Sequence, residues 1–272
     1  MSISNDNSYF HYGNNNTLVN ESITPTNSPP YVGQDRWMKP AADEYAALRR
    51  GIFGTSDLNG AIIIATHVLI SDPESLIDQL NVLWDTGAWH YGQDDPTENY
   101  GGYSLTIGGT DLGSDFQFWV TPPGANGTPL RQAWFSIGGW WKDPYAMGHP
   151  DYLKTSGRFH VGTIITRLNG KTWVEFWLDG SRRQSKGLPT TPILCDPKAG
   201  ITFWASCCDP ARDTITHNLN EGTNNDFETS TMFVTRLKGD HRDKYDTIMR
   251  ELSENRDTFP PTAIKIIVES NI

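Results

Sequence analysis

Trp173, Glu175 and Trp177 occupy alternate positions of one short segment, Lys171 to Leu178. In an extended strand successive side chains point to opposite faces, so these three would project together, with a carboxylate between two indoles. Two flat aromatic surfaces beside hydrogen-bonding groups form a platform on which a sugar ring can stack. Arg182 lies just beyond the Asp179-Gly180 pair, where a tight turn would bring its guanidinium beside Trp177. The competing expectation is that a second layer covers these rings, and that Gly162 on the neighbouring strand makes room for an indole.

The elements that must position this constellation are unusually legible. Asn169-Gly170 and Asp179-Gly180, ten residues apart, are two-residue hairpin signals, because a type I′ turn needs positive φ at both central positions. Between and around them, residues 159–186 read as a three-stranded meander. With Leu168 opposite Lys171, Gly162, Ile164 and Thr166 face Trp177, Glu175 and Trp173. Val161, Thr163 and Ile165 then meet Leu178, Phe176 and Val174 on the other, apolar face. The same reckoning sets Gln184 opposite Glu175.

Further short segments rich in β-branched or aromatic residues predict strands at 61–70, 103–107, 116–120, 131–137, 201–207, 231–237 and 263–268. The run from Ala61 to Ile70 is apolar enough to be buried on both faces. Three helices are expected. One lies between Pro40 and Gly51; one opens at Asp72-Pro73-Glu74 and runs through Leu76, Ile77, Leu80 and Leu83. The third follows Asp240, with Tyr245, Ile248, Met249 and Leu252 at helical spacing. Fold class follows: mainly β, an antiparallel sandwich or barrel-like sheet system with about three short helices and long loops. Residues 1–35, rich in Asn, Ser, Thr and Pro, read as an irregular arm or linker, and 36–272 as a single β-rich domain.

A second aromatic concentration includes Trp84, Trp89, Trp134, Trp140 and Trp141, and the Gly138-Gly139-Trp140-Trp141 loop makes the last two candidates for a contact surface. The candidate ligand-binding set is therefore Trp173, Glu175, Trp177, Arg182, Trp140 and Trp141. No catalytic set emerges: GxSxG, HExxH, GxxxxGK[ST] and strand-linked GxGxxG patterns do not occur. Glu175 and Asp179 supply the two carboxylates a glycosidase would use, but the turn diverts the second. Asp94, Asp95 and Glu98 match no EF-hand spacing, and Cys195, Cys207 and Cys208 form neither a CxxC pair nor an even disulfide set. No metal and no cofactor are expected, and a reducing compartment suits the cysteines.

Charge and length narrow the partners. With 32 acidic and 22 basic residues in 272, the net charge is -10, and no Lys/Arg cluster suits a phosphate backbone, so nucleic acid is not expected. No 18-residue apolar run predicts a membrane span, and Met1 to Asn20 has no basic and apolar pattern of a signal peptide, which fits cytoplasmic synthesis. Loops and aromatic patches on a rigid sheet suit a non-enzymatic recognition or assembly domain for a glycan or protein receptor, of the kind displayed as a viral capsid spike on a virion surface, with a homodimer as default assembly. The alternative is a carbohydrate-active enzyme or a small-molecule-binding β-fold protein.

Overall fold

The computed structural model describes residues 9–12, 23–27, 31–32, 37–38, 45–48, 59–72, 75, 80–85, 102–110, 113–121, 156–187, 201–203, 208–209, 214–215, 227–230, 232–255 and 261–270. In chain order the strands among them are β1 (Tyr9–Tyr12), β2 (Ile23–Asn27), β3 (Tyr31–Val32), β4 (Trp37–Met38), β5 (Tyr45–Leu48), β6 (Gly60–Ile70), β7 (Leu80–Asp85), β8 (Gly102–Thr110) and β9 (Gly113–Thr121). They continue with β10 (Gly157–Leu168), β11 (Lys171–Leu178), β12 (Ser181–Gly187), β13 (Ile201–Phe203), β14 (Cys208–Asp209), β15 (Thr214–Ile215), β16 (Phe227–Thr229) and β17 (Met232–Lys238). Two helices follow, α1 (Tyr245–Glu254) and α2 (Pro261–Ser270). The protein is thus mainly β, as its sequence predicts.

Two large antiparallel sheets carry the fold. The first runs β12-β11-β10-β6-β16-β4-β3, with β17 joining β6 to β1; the second runs β2-β5-β13-β7-β8-β9. β16 and β17 share one edge of β6, the former pairing with Val68 to Ile70 and the latter with Gly60 to Ala65. Between them Ser230 bridges the gap, its N–H donating to the His67 carbonyl at 2.9 Å. The sheets meet face to face through Phe116 of β9, whose ring lies 6.4 Å from Phe159 and 5.9 Å from Phe176 of the first sheet.

The meander has the register its turns dictate. Gly162 faces Trp177, Ile164 faces Glu175 and Thr166 faces Trp173, while Val161, Thr163 and Ile165 face Leu178, Phe176 and Val174. Asn169, Gly170, Asp179 and Gly180 all have positive φ, between 50° and 74°, as two I′-like turns require. One detail differs. A bulge between Phe176 and Trp177 sets Gln184 opposite Phe176 and brings Ser185 opposite Glu175, because the extra residue shifts β12 by one position.

The face opposite the sandwich interior is not open along its length. Ala61, Ile63 and Ala65 of β6, Ile164 of β10, Trp177 of β11, and Phe233 and Leu237 of β17 form a second core with α1 and α2. β6 is therefore buried on both sides, which explains its nearly continuous apolar run. Gly162 is the seat of α1: a Cβ there would collide with the Met249 methyl, so the glycine accommodates that methionine rather than an indole. At the other side of the hairpin, a Cβ on Gly180 would meet the Arg250 backbone at 3.1 Å, so the turn and the helix lie in close contact.

Three expectations for local structure are corrected. Residues 45–48, expected within a helix, form β5, because pairing with β2 and β13 supplies partners that the helix signals at Pro40 and Gly51 do not outweigh. Leu80 and Leu83, assigned to a helix, lie in β7, which pairs with β8 and buries Val82, Leu83 and Trp84. Conversely, 263–268 is not a strand but the middle of α2. Pro261 opens that helix, Ala263 and Ile267 are buried at i and i+4, and the Glu251 carboxylate accepts the Ala263 N–H at 2.7 Å. The third expected helix forms after Asp240 as α1, preceded by a 3₁₀ turn, Arg242–Lys244.

Tyr9–Tyr12 pairs with β17, Ile23–Asn27 with β5, and Tyr31–Val32 with β4, so the described parts of 1–35 are strands attached to the body. The predicted strand at 131–137 lies outside the described residues. Among those residues no helix is long and apolar enough to cross a membrane.

Candidate functional site

Glu175 is the centre from which the site is built. It sits on β11 on the helix-facing side, 7% exposed, and a carboxylate this buried must have its oxygens satisfied. Both are. The Trp177 indole N–H donates to Oε2 at 3.1 Å, and Arg182 donates to Oε1 at 3.1 Å across the β11–β12 hairpin. Arg182 makes this ion pair from the rim, its side chain 55% exposed against 9% for Glu175. The guanidinium expected to lie over Trp177 thus engages the carboxylate beside it.

Trp177 and Trp173 meet different surroundings. Trp177 is 1% exposed and packed within the core shared with α1, so the open indole platform expected here is halved. Trp173 is only partly buried. Its partner on β12 is Gly187, which carries no side chain to cover it, and a Cβ at that glycine would still stand 3.7 Å from the ring. The Arg242 guanidinium lies 5.9 Å from the Trp173 ring centre, at the outer limit of a cation–π contact.

The segment leading into α1 supplies the other wall. Asp240 receives the Arg242 side chain in two parallel bonds, 2.8 Å from Nε and 2.6 Å from an Nη, and this pairing holds the Asp240 carboxyl below the usual carboxylate range. Tyr245, the first residue of α1, places its hydroxyl 2.8 Å from the Thr166 Oγ1. Burial, reinforced by the nearby Glu175 and Asp240 carboxylates against the hydrogen bond to Thr166, pushes the Tyr245 phenol up to about 12, so it remains a neutral hydroxyl.

Between these walls is a cavity of about 220 Å³. Trp173, Glu175, Trp177 and Arg182 line it from the sheet, together with Thr166 and Ser185; Arg242, Tyr245 and Asp246 line it from the helical side. That volume is below the roughly 300–1,000 Å³ of sites for drug-sized ligands, which suits one ring or the end of a longer molecule. The cavity offers aromatic surface, carboxylate acceptors, guanidinium donors and hydroxyls that act in either role.

Four of the six residues singled out from sequence therefore share one cavity. Trp140 and Trp141 lie outside the described residues, as do Asp94, Asp95 and Glu98. Trp84, from the second aromatic concentration, is 1% exposed and belongs to the core. Asp179 does not join Glu175 in the cavity; its Oδ1 accepts the His160 backbone N–H at 2.9 Å and stabilises the turn. Arg242, Tyr245 and Asp246 were not among the sequence candidates. Tyr245 was visible only as a core position of α1, and nothing local to 240–246 indicates which sheet face that helix covers.

No known protein family and no curated protein matches the sequence. Solved structures do. The botulinum neurotoxin serotype D binding domain aligns over 90% of this chain and 51% of its own, at 8% identity and a TM-score of 0.51. The receptor binding domain of botulinum neurotoxin D aligns over 90% and 53%, at 8% identity and 0.48. Domain 4 of AbnA, an extracellular arabinanase from Geobacillus stearothermophilus solved with arabinotriose, aligns over 90% and 87%, at 11% identity and 0.39. The chain spans about half the length of the two toxin domains, and its likeness to the first of them is one of fold.

Proposed function

We propose that this protein is a non-enzymatic recognition domain that holds a glycan in the cavity between β11 and the start of α1. The observation that carries the reading is the convergence of Trp173, Glu175 and Arg182 with Arg242, Tyr245 and Asp246 around one cavity of about 220 Å³. A partly exposed indole gives a sugar ring an apolar surface, and the paired Glu175 and Arg182 present an acceptor and a donor already fixed in place. Preorganised polar groups beside an aromatic wall are what a small polar ligand needs. The architecture resembles that of a domain named for binding, which agrees with this reading at the level of fold analogy.

The carboxylate pair expected for hydrolysis, Glu175 with Asp179, does not form: Asp179 is committed to a turn and does not line the cavity. A glycan array probed with wild type and Trp173→Ala tests the proposal. Array binding by wild type that disappears in the variant, with unchanged thermal unfolding, supports it. Equal binding by both proteins refutes the cavity as the site, and binding to no glycan turns attention to a protein receptor.

A further inference from the structure

Resting on the glycan reading, we propose that the cavity selects uncharged sugar rings over carboxylated ones, and that Asp246 is the side chain that discriminates. The first ground is that both guanidiniums at the site are already engaged. Arg182 is paired with Glu175, and Arg242 makes two parallel hydrogen bonds to Asp240. An acidic ligand would share each guanidinium with a carboxylate that already neutralises it, so neither arginine brings a net positive charge to meet it.

The second ground is what remains. Asp246 lines the cavity, is exposed, and takes part in no ion pair or side-chain hydrogen bond among the described residues. Its charge is the uncompensated one in the lining. The chain's net charge of -10 adds to it at longer range.

Counted by charge, three carboxylates, Glu175, Asp240 and Asp246, stand against two guanidiniums. A carboxylate has about four lone-pair sites, of which Glu175 uses two, so both it and Asp246 can receive hydroxyl protons. A neutral polyol ring supplies such protons without bringing charge. A uronic acid brings a carboxylate toward Asp246, where neither guanidinium has charge left over to offset it.

The test compares a neutral glycan that binds on the array with the same glycan oxidised to a carboxylate at C6 of its terminal ring. Titration calorimetry at low ionic strength keeps the charge unscreened. The neutral form is expected to bind about tenfold more tightly to wild type, and Asp246→Asn to narrow that gap. Because Asp246 is exposed and unpaired, the variant's fold is expected to persist, which circular dichroism checks. Tighter or equal binding of the oxidised form, or a gap unchanged in Asp246→Asn, overturns the inference while leaving a glycan site in place. Failure of every array glycan to bind removes the glycan reading and this inference with it.

Discussion

Trp173 and Trp177 leave β11 on the same side, equally distant from Glu175, and both border the cavity, yet Trp177 is buried in the core and Trp173 is partly open. Trp177 shares its core with Ile248, Met249 and Leu252 of α1, which is seated against the sheet where Gly162 leaves space for Met249. Near Trp173, among the described residues, lie Arg242 of the turn before α1 and, beside it, Gly187. Strand parity thus assigns a side chain to a face. Whether that face is interior or available to a ligand is set by where the next layer ends, a property of packing 70 residues further along the chain.

Substitutions at the covered end are expected to act on stability, and those at the open end on binding. The largest effect is expected for Trp177→Ala, which removes a buried indole and the donor to Glu175: about 3–5 kcal/mol of stability, measured by chemical denaturation. A loss below about 1 kcal/mol would contradict the assignment of Trp177 to the core. Next is Gly162→Val, whose Cβ would collide with the Met249 methyl; overpacking of this kind costs about 1–3 kcal/mol. Adding Met249→Ala should relieve part of that cost. Strict additivity in the double-mutant cycle would show that the two positions do not meet.

A pH effect belongs to the same end. His160 and His67 pair across β10 and β6 with ring centres 4.8 Å apart, and His67 Nε2 lies 2.9 Å from the Ser253 carbonyl of α1. Burial first, and the neighbouring His67 second, hold the His160 imidazole well below its ordinary value of 6.5. The folded chain therefore keeps His160 neutral where the unfolded chain takes up a proton. Acidification below about pH 6.5 favours unfolding, by up to about 1.4 kcal/mol per pH unit, until the folded-state imidazole itself titrates. His160→Gln should flatten stability against pH in that window; an unchanged slope would assign the acid sensitivity elsewhere.

Legibility in the sequence followed the range of the interactions. Asn169-Gly170 and Asp179-Gly180 dictate their turns within four residues, so the meander, its register and the shared face of Trp173, Glu175 and Trp177 could all be read. The bulge at Phe176 and Trp177 left no local mark, and it moved Gln184 away from Glu175. Pro40 with Gly51 and Asp72 with Pro73 are sound helix signals, but the segments they flank had sheet partners elsewhere in the chain. The run around Ile264 to Val268 has strand-like composition; the cap from Glu251 and the apolar spacing of Ala263 and Ile267 favour a helix. The helical side of the site was hidden for the same reason. Arg242, Tyr245 and Asp246 reach the cavity only because α1 docks on the meander.

The smallest expected effect on stability carries the most functional weight. Trp173→Ala removes a partly exposed ring and should cost less than about 1 kcal/mol. Titration calorimetry of the best-bound array glycan into wild type and Trp173→Ala, with thermal unfolding of both, is therefore the most direct measurement. Loss of at least tenfold in affinity with nearly unchanged unfolding is the predicted result. Unaltered affinity in the variant would contradict a binding site at the open end of β11.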